Sequence, residues 1–121
     1  MLTLAVAVTA ASGSVLRYVV DQLVQHRTRG DFPYGTLLIN VSGSFVLGLV
    51  VGLSAHHGLG ATPTIVIGAG FAGGFTTLST WAWESVTLAE GGELLEASVN
   101  IVDSVVAGLV AAAAGLAIAL L

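Results

Sequence analysis

Two stretches of this chain carry residue types and spacings that could handle a small ion. In Gly35-Thr36-Leu37-Leu38-Ile39-Asn40-Val41-Ser42-Gly43-Ser44-Phe45-Val46-Leu47-Gly48, the polar residues Thr36, Asn40 and Ser44 recur every fourth residue. On a helix they share one face and draw a polar stripe through apolar surroundings. An Asn amide offers two N–H donors and no charge, so it can replace part of an anion's hydration without holding the ion too tightly to leave. The same stripe also reads as interhelical glue, with Asn40 bonding across a helix pair and the hydroxyls bonding to their own backbone. The second stretch is Gly70-Phe71-Ala72-Gly73-Gly74-Phe75-Thr76-Thr77-Leu78-Ser79-Thr80-Trp81-Ala82-Trp83-Glu84. Three glycines within five residues predict a helical break there, freeing carbonyl oxygens. Uncharged oxygens of that kind suit a hard cation.

The elements that must position these residues are membrane spans. The 121 residues are 55% hydrophobic and 8% charged, which is too little polar surface to cover a water-soluble globule. A mean hydropathy of +0.98 agrees. The expected fold class is an all-α integral membrane protein, one domain over 1–121 with four transmembrane helices at about 2–24, 34–55, 63–88 and 95–121. The third of these contains the break. Sixteen glycines among many Ala, Val and Leu predict close helix packing through small residues, and Gly48 and Gly52 form a GxxxG pair continuing the polar face of the second helix. Asp31-Phe32-Pro33 reads as a helix start, with Asp31 capping and proline early in the first turn. The first span carries Arg17 and Asp21 on a continuing helical pattern and lacks a basic leader, so it reads as a retained helix rather than a signal peptide.

The charge pattern narrows the function classes. The net charge is -4, and the basic residues are three arginines, so there is no basic patch for nucleic acid. The absence of cysteine excludes disulfides and thiolate metal sites. No nucleophile sits near a base, and Gly68-x-Gly70-x-x-Gly73 imitates a dinucleotide fingerprint inside a membrane span without a preceding strand, so an enzyme is not expected. Arg27 and Arg29 are the basic residues of the first connection, so orientation rests on two charges and insertion both ways is consistent with the sequence. A chain inserting both ways can build an antiparallel, dual-topology dimer.

The motifs resemble those of the Fluc (CrcB-type) fluoride channels. The similarity rests on Gly35-Thr36-Leu37-x-x-Asn40-x-x-Gly43-Ser44-Phe45-x-x-Gly48, on Gly70-Phe71-x-Gly73-Gly74-x-Thr76-Thr77-Leu78-Ser79-Thr80-Trp81, and on Gly13-Ser14-x-x-Arg17-Tyr18, and covers essentially the whole chain. It implies a fluoride-selective channel of the plasma membrane, passing the ion passively out of the cytoplasm. It also implies an antiparallel dimer with two pores and a structural sodium ion at its centre. Carried over residue by residue, the carbonyls of Gly73 and Thr76 would hold the sodium. Asn40, Thr36, Leu78, Ser79, Thr80, Trp81 and Ser104 would line the pore, and Arg17 would add positive potential at a vestibule.

The chain also departs from the family pattern. A pair of phenylalanines is usual where Leu78 and Trp81 stand. An aromatic edge is electropositive and can face an anion; Trp81 retains this and adds an indole N–H, whereas Leu78 offers neither. Thr9-Ala10 replaces a Gly-Gly in the first helix. A homodimer with altered pores and a heterodimer with a related chain therefore both fit the sequence, as does a silent stabilising subunit. A small multidrug-type cation/proton exporter needs an embedded carboxylate, for which Asp103 is the only substitute. Arg17 has a second reading as the partner of Asp21 at i+4, and Asn100 could extend the track of Ser104 one turn away. Glu84 and Asp103 are expected near water or protonated, and His56 and His57 read as a solvated loop pair.

Overall fold

A computed structural model describes all of residues 1–121. It is entirely helical: α1 is Leu2–Arg27, α2 is Tyr34–His56, α3 runs through the successive segments Ala61–Thr64, Ile65–Ala72 and Gly73–Phe75, α4 is Leu78–Glu90 and α5 is Leu94–Ala119. Four helical stretches, with α3 and α4 counted together as Ala61–Glu90, are long and apolar enough to cross a membrane. These helices end within about three residues of the expected bounds, the largest difference being α1, which runs on to Arg27. Asp31 does not cap α2, because the helix begins at Tyr34 with Pro33 in the cap position and no side-chain cap bond. The connections turn where an L side chain would be strained: Gly58 has φ of 71° and Gly92 of 81°.

The third span is broken, but at the threonines and not at the glycines. Ile65–Ala72 has π-helical bonding and Gly73–Phe75 returns to α geometry, so Gly70, Gly73 and Gly74 all remain helical. The chain becomes extended at Thr76 (φ -79°, ψ 161°) and Thr77 (φ -147°, ψ 122°), then starts α4. Thr77 is its N-cap, with its hydroxyl accepting from the Thr80 N–H at 3.2 Å. A threonine cap supplies the oxygen that an orphan helix-start N–H needs, and here it decides where the break falls. The glycines serve packing instead. A Cβ at Gly13 would stand 2.9 Å from the Phe75 nitrogen, and one at Gly74 would stand 2.8 Å from the Ala10 carbonyl carbon. Backbones of α1 and α3 thus touch with no side chain between them.

The α2–α5 pair is the largest contact in the bundle. It too is made through small residues: a Cβ on Gly48 would lie 2.8 Å from the Ala112 carbonyl carbon, and one on Gly115 would lie 2.7 Å from the Leu49 nitrogen. Gly52 faces Ala119 and Leu116, so the GxxxG pair reaches α5 as the small-residue pattern predicts. The buried side chains include Ile39, Val50, Phe75 and Leu88, while many large apolar residues of α1 and α5 face outward. An outward apolar surface suits acyl chains, which are as apolar as the side chains they touch.

Candidate functional site: a polar joint at the broken span

Asn40 is built into the break. Its Nδ2 donates to the Thr77 carbonyl at 2.9 Å, and its Oδ1 accepts from the Thr77 N–H at 2.8 Å. One side chain therefore satisfies both backbone groups of a residue that has left the helix, which such groups require at membrane depth. An amide has a second N–H on Nδ2, and Thr77 consumes one. Other carbonyls around the break find donors on α1: Ser14 Oγ donates to Gly74 at 3.2 Å, and Arg17 Nη1 donates to Thr76 at 3.1 Å. Arg17 is thus engaged with the break, and the buried Asp21 Oδ1 is left without a partner, which replaces the i+4 pair read from the sequence. The Gly73 carbonyl receives none of the backbone hydrogen bonds that run between elements, and Gly73 itself is exposed.

Two cavities meet at this joint. One, of about 300 Å³, is lined by Asn40, Ser44, Gly73, Thr76, Thr77 and Leu78 with small and apolar neighbours, and no charged residue lines it. The other, of about 220 Å³, gathers Ser14, Arg17, Tyr18, Asp21, Thr36, Ile39, Thr77 and Thr80. Thr77 lines both. Thr36 is 2% exposed and donates its hydroxyl to Glu84 on α4, so the first residue of the polar stripe bonds across helices, while Ser44 turns back to its own Asn40 carbonyl at 2.7 Å. Leu78 is 75% exposed on the rim of the first cavity.

The remaining candidate residues are placed apart from these cavities. Ser79 is exposed, its hydroxyl 3.4 Å from that of Thr77. Trp81 is half-buried and its indole Nε1 donates to the Asn100 carbonyl at 3.2 Å, so the extra donor read from the sequence is already spent. Ser104 is half-buried on α5 with its hydroxyl lacking a partner, as is the Oδ1 of the fully buried Asn100 one turn before it. Asp103 and both loop histidines are exposed.

Sequence reasoning missed Thr77, the residue on which the joint turns. The available signal was the residue type alone, a threonine directly before the helical run that starts at Leu78. Thr9, where a Gly-Gly was expected, sets its hydroxyl between two acceptors, the Ala5 carbonyl of its own helix at 2.9 Å and the Val66 carbonyl on α3 at 3.0 Å.

A small all-helical membrane protein, its third span interrupted and the interruption bound by side chains of the first two, is the class defined by this fold and site. Residues 4–116 match the family described as CrcB-like protein, Camphor Resistance (CrcB), and the chain belongs to that family. A protein of Mycobacterium tuberculosis named fluoride-specific ion channel FluC 2 is 45% identical over 103 residues, covering 85% of this chain and 79% of its own. One from Leifsonia xyli named fluoride-specific ion channel FluC 1 is 42% identical over 116 residues, covering 96% of this chain and 85% of its own. A third, from Clostridium acetobutylicum and named fluoride-specific ion channel FluC 2, is 33% identical over 104 residues, covering 86% of each.

Proposed function

We propose that this chain is a fluoride-selective channel of the cell membrane, passing the anion passively out of the cytoplasm, and that its pore is organised by the Asn40–Thr77 joint. The observation that carries the reading is the uncharged cavity in which Asn40, Ser44 and Thr77 stand together. Uncharged donors give an anion partial replacement of its water without a field strong enough to trap it. The second amide proton of Asn40 is the donor offered in this cavity, with Leu78 as an apolar wall. Thr36, its proton given to Glu84, braces the joint, and the hydroxyls of Ser79, Thr80 and Ser104 with the Trp81 ring edge would extend the route beyond it. Arg17 raises the potential at the entrance. The family relatives carry the name of fluoride-specific channels, which supports fluoride as the permeant ion.

The working unit in this reading is an antiparallel dimer with two pores. The exposed Gly73 and the rim at Leu78 support it, because polar backbone cannot face acyl chains and a second copy would cover it. Gly73 and Thr76 carbonyls from two copies would supply an all-oxygen set for a structural sodium ion, a hard cation. The Gly73 oxygen fits that role without competition, whereas the Thr76 oxygen would share its lone pairs with Arg17. Heterodimerisation with a related chain is the second reading, favoured by the absence of any aromatic edge at the exposed Leu78.

The test is efflux from liposomes holding this chain alone, with fluoride, chloride and a cationic dye as cargoes. Rapid fluoride loss with the other two retained is the expected result. Dye efflux driven by protons would replace the channel with an exporter. Silence that is relieved by adding a related chain would establish the heterodimer.

A further inference from the structure

An apolar groove and two unpaired arginines meet where α1 ends and α2 begins. The groove, of about 420 Å³, is lined by Val24 of α1, by Tyr34, Leu37, Leu38 and Val41 of α2, and by Ala107 of α5. None of these residues lines either cavity at the joint. From Tyr34, the first residue of α2, to Val41 the groove runs about 10 Å into the membrane. Its open end therefore lies at headgroup level and its floor among acyl chains. Phe32 and Tyr34 pair their rings at that end, with centroids 4.8 Å apart, as aromatic residues do at a membrane surface.

The arginines stand over the same end. Val24 and Arg27 are three residues apart on α1 and share a face, so Arg27 lies one turn above the groove, and Arg29 follows just past the helix end. Both are exposed and make no hydrogen bond or ion pair within the chain, whereas Arg17 is bound to the break. The acidic residues at this end of the bundle are gathered elsewhere. Asp31 hydrogen-bonds with Glu93, which also feels the charge of Glu96, and Asp31, Glu84 and Glu93 line a separate cavity beside α4. Two guanidinium groups are thus left without an anion beside an apolar groove.

We propose that the groove and its arginines bind one anionic phospholipid, with the phosphate held by Arg27 and Arg29 and an acyl chain laid along Leu37, Leu38 and Val41. Guanidinium forks match phosphate oxygens in pairs, and the groove below offers a hydrocarbon chain apolar contact along its length. A second copy fits less well. In the antiparallel dimer proposed above, its α2–α3 connection and chain ends would lie at the level of the arginines, and no acidic side chain stands in 1–20, 44–83 or 104–121 to meet them. The site does not depend on which ion crosses.

The test is native mass spectrometry of the full-length chain in detergent with equimolar phosphatidylglycerol and phosphatidylcholine of the same acyl chains. The parent should retain phosphatidylglycerol in preference. Arg27→Gln and Arg29→Gln should each reduce that preference about fivefold, the contribution of one basic residue beside anionic lipid, and the double variant should show none. Leu38, 50% exposed, can carry a larger side chain, so Leu38→Trp should fill the groove and lose the lipid with both arginines kept. Val41→Phe replaces it should Leu38→Trp fail to fold. Glycerol phosphate, a headgroup without chains, should displace nothing from the parent. Equal retention of the two lipids by the parent, or an undiminished preference in the double arginine variant, overturns the site. A preference that survives the groove-filling variant, or displacement by glycerol phosphate, also overturns it, because the arginines would then attract phosphate with no chain seated. A parent that retains no lipid, and whose dimer Leu38→Trp breaks apart, would give the groove to a second copy instead.

Discussion

The α2–α5 seam and the α3–α4 break are both places where backbone is brought close without a side chain of its own to fill the gap, yet they are held in opposite ways. At the seam, Gly48 and Gly115 let two helices touch, and Ser44 keeps its hydroxyl on its own helix. Steric fit is the whole of that contact. At the break, side chains from two other helices reach in, Arg17 to Thr76 and Asn40 to both sides of Thr77. Directional bonding holds it, and the groups so presented remain polar at membrane depth. The difference teaches that small residues in this chain build the casing while hydrogen-bonding residues build the path. A glycine-rich stretch read as the site of the break turned out to belong to the casing.

This contrast predicts a graded response to mutation. Gly48→Val should be the most damaging change, costing on the order of 3 kcal/mol by overpacking, because its branched side chain would enter the Ala112 backbone. Loss of the folded peak on size exclusion in detergent would show it, and an unshifted melting temperature would mean that the seam is looser than described. Asn40→Ala removes both partners of Thr77 and should cost about 2 kcal/mol, seen as a lowered melting temperature. Arg17→Met should cost about 1 kcal/mol by removing the donor to Thr76, a half-buried bond, and should lower the sodium concentration needed for function by relieving competition at that oxygen. Sodium titration of efflux checks the second part, and a higher sodium requirement would contradict the proposed role of the Thr76 carbonyl as a sodium ligand.

The smallest effect lies outside both regions. The Glu93 carboxyl, in the connection before α5, is held above its ordinary value, first by hydrogen bonding to Asp31, then by local desolvation and by the charges of Asp31 and Glu96. The folded chain therefore binds this proton more tightly than the unfolded chain does. The stabilisation is complete below the ordinary carboxylate value and is lost as pH rises through the raised one. Melting temperature should fall slightly from mildly acidic pH towards neutrality, and Asp31→Asn should flatten that trend.

Most of the casing was legible in the sequence because it is written in runs. Four apolar stretches, the small-residue pairs and the loop glycines each announce themselves by composition and period. The GxxxG pair of Gly48 and Gly52 found the partner helix that its pattern implies. The joint was legible only in part. Spacing put Thr36, Asn40 and Ser44 on one face, but their partners lie 48 and 37 residues away in sequence for Thr36 and Asn40, and four for Ser44, so the same spacing served three different bonds. Glycine flexibility points to residues 70–74 for the break, but the capping oxygen of Thr77 decides its place. Trp81 was read as a free donor, since nothing local reveals that Asn100, 19 residues on, would take its N–H. From spacing alone, glue and ion ligand are rival readings of Asn40. Its amide has protons enough for both.

Fluoride efflux through Asn40→Asp is the most direct test of the central idea, that an uncharged amide at the joint serves the anion. The aspartate keeps the acceptor for the Thr77 N–H, loses the donor to its carbonyl and sets a negative charge beside the uncharged cavity. With the protein folded and assembled, efflux should drop to the rate of protein-free liposomes. Efflux at the wild-type rate would mean that fluoride does not pass Asn40.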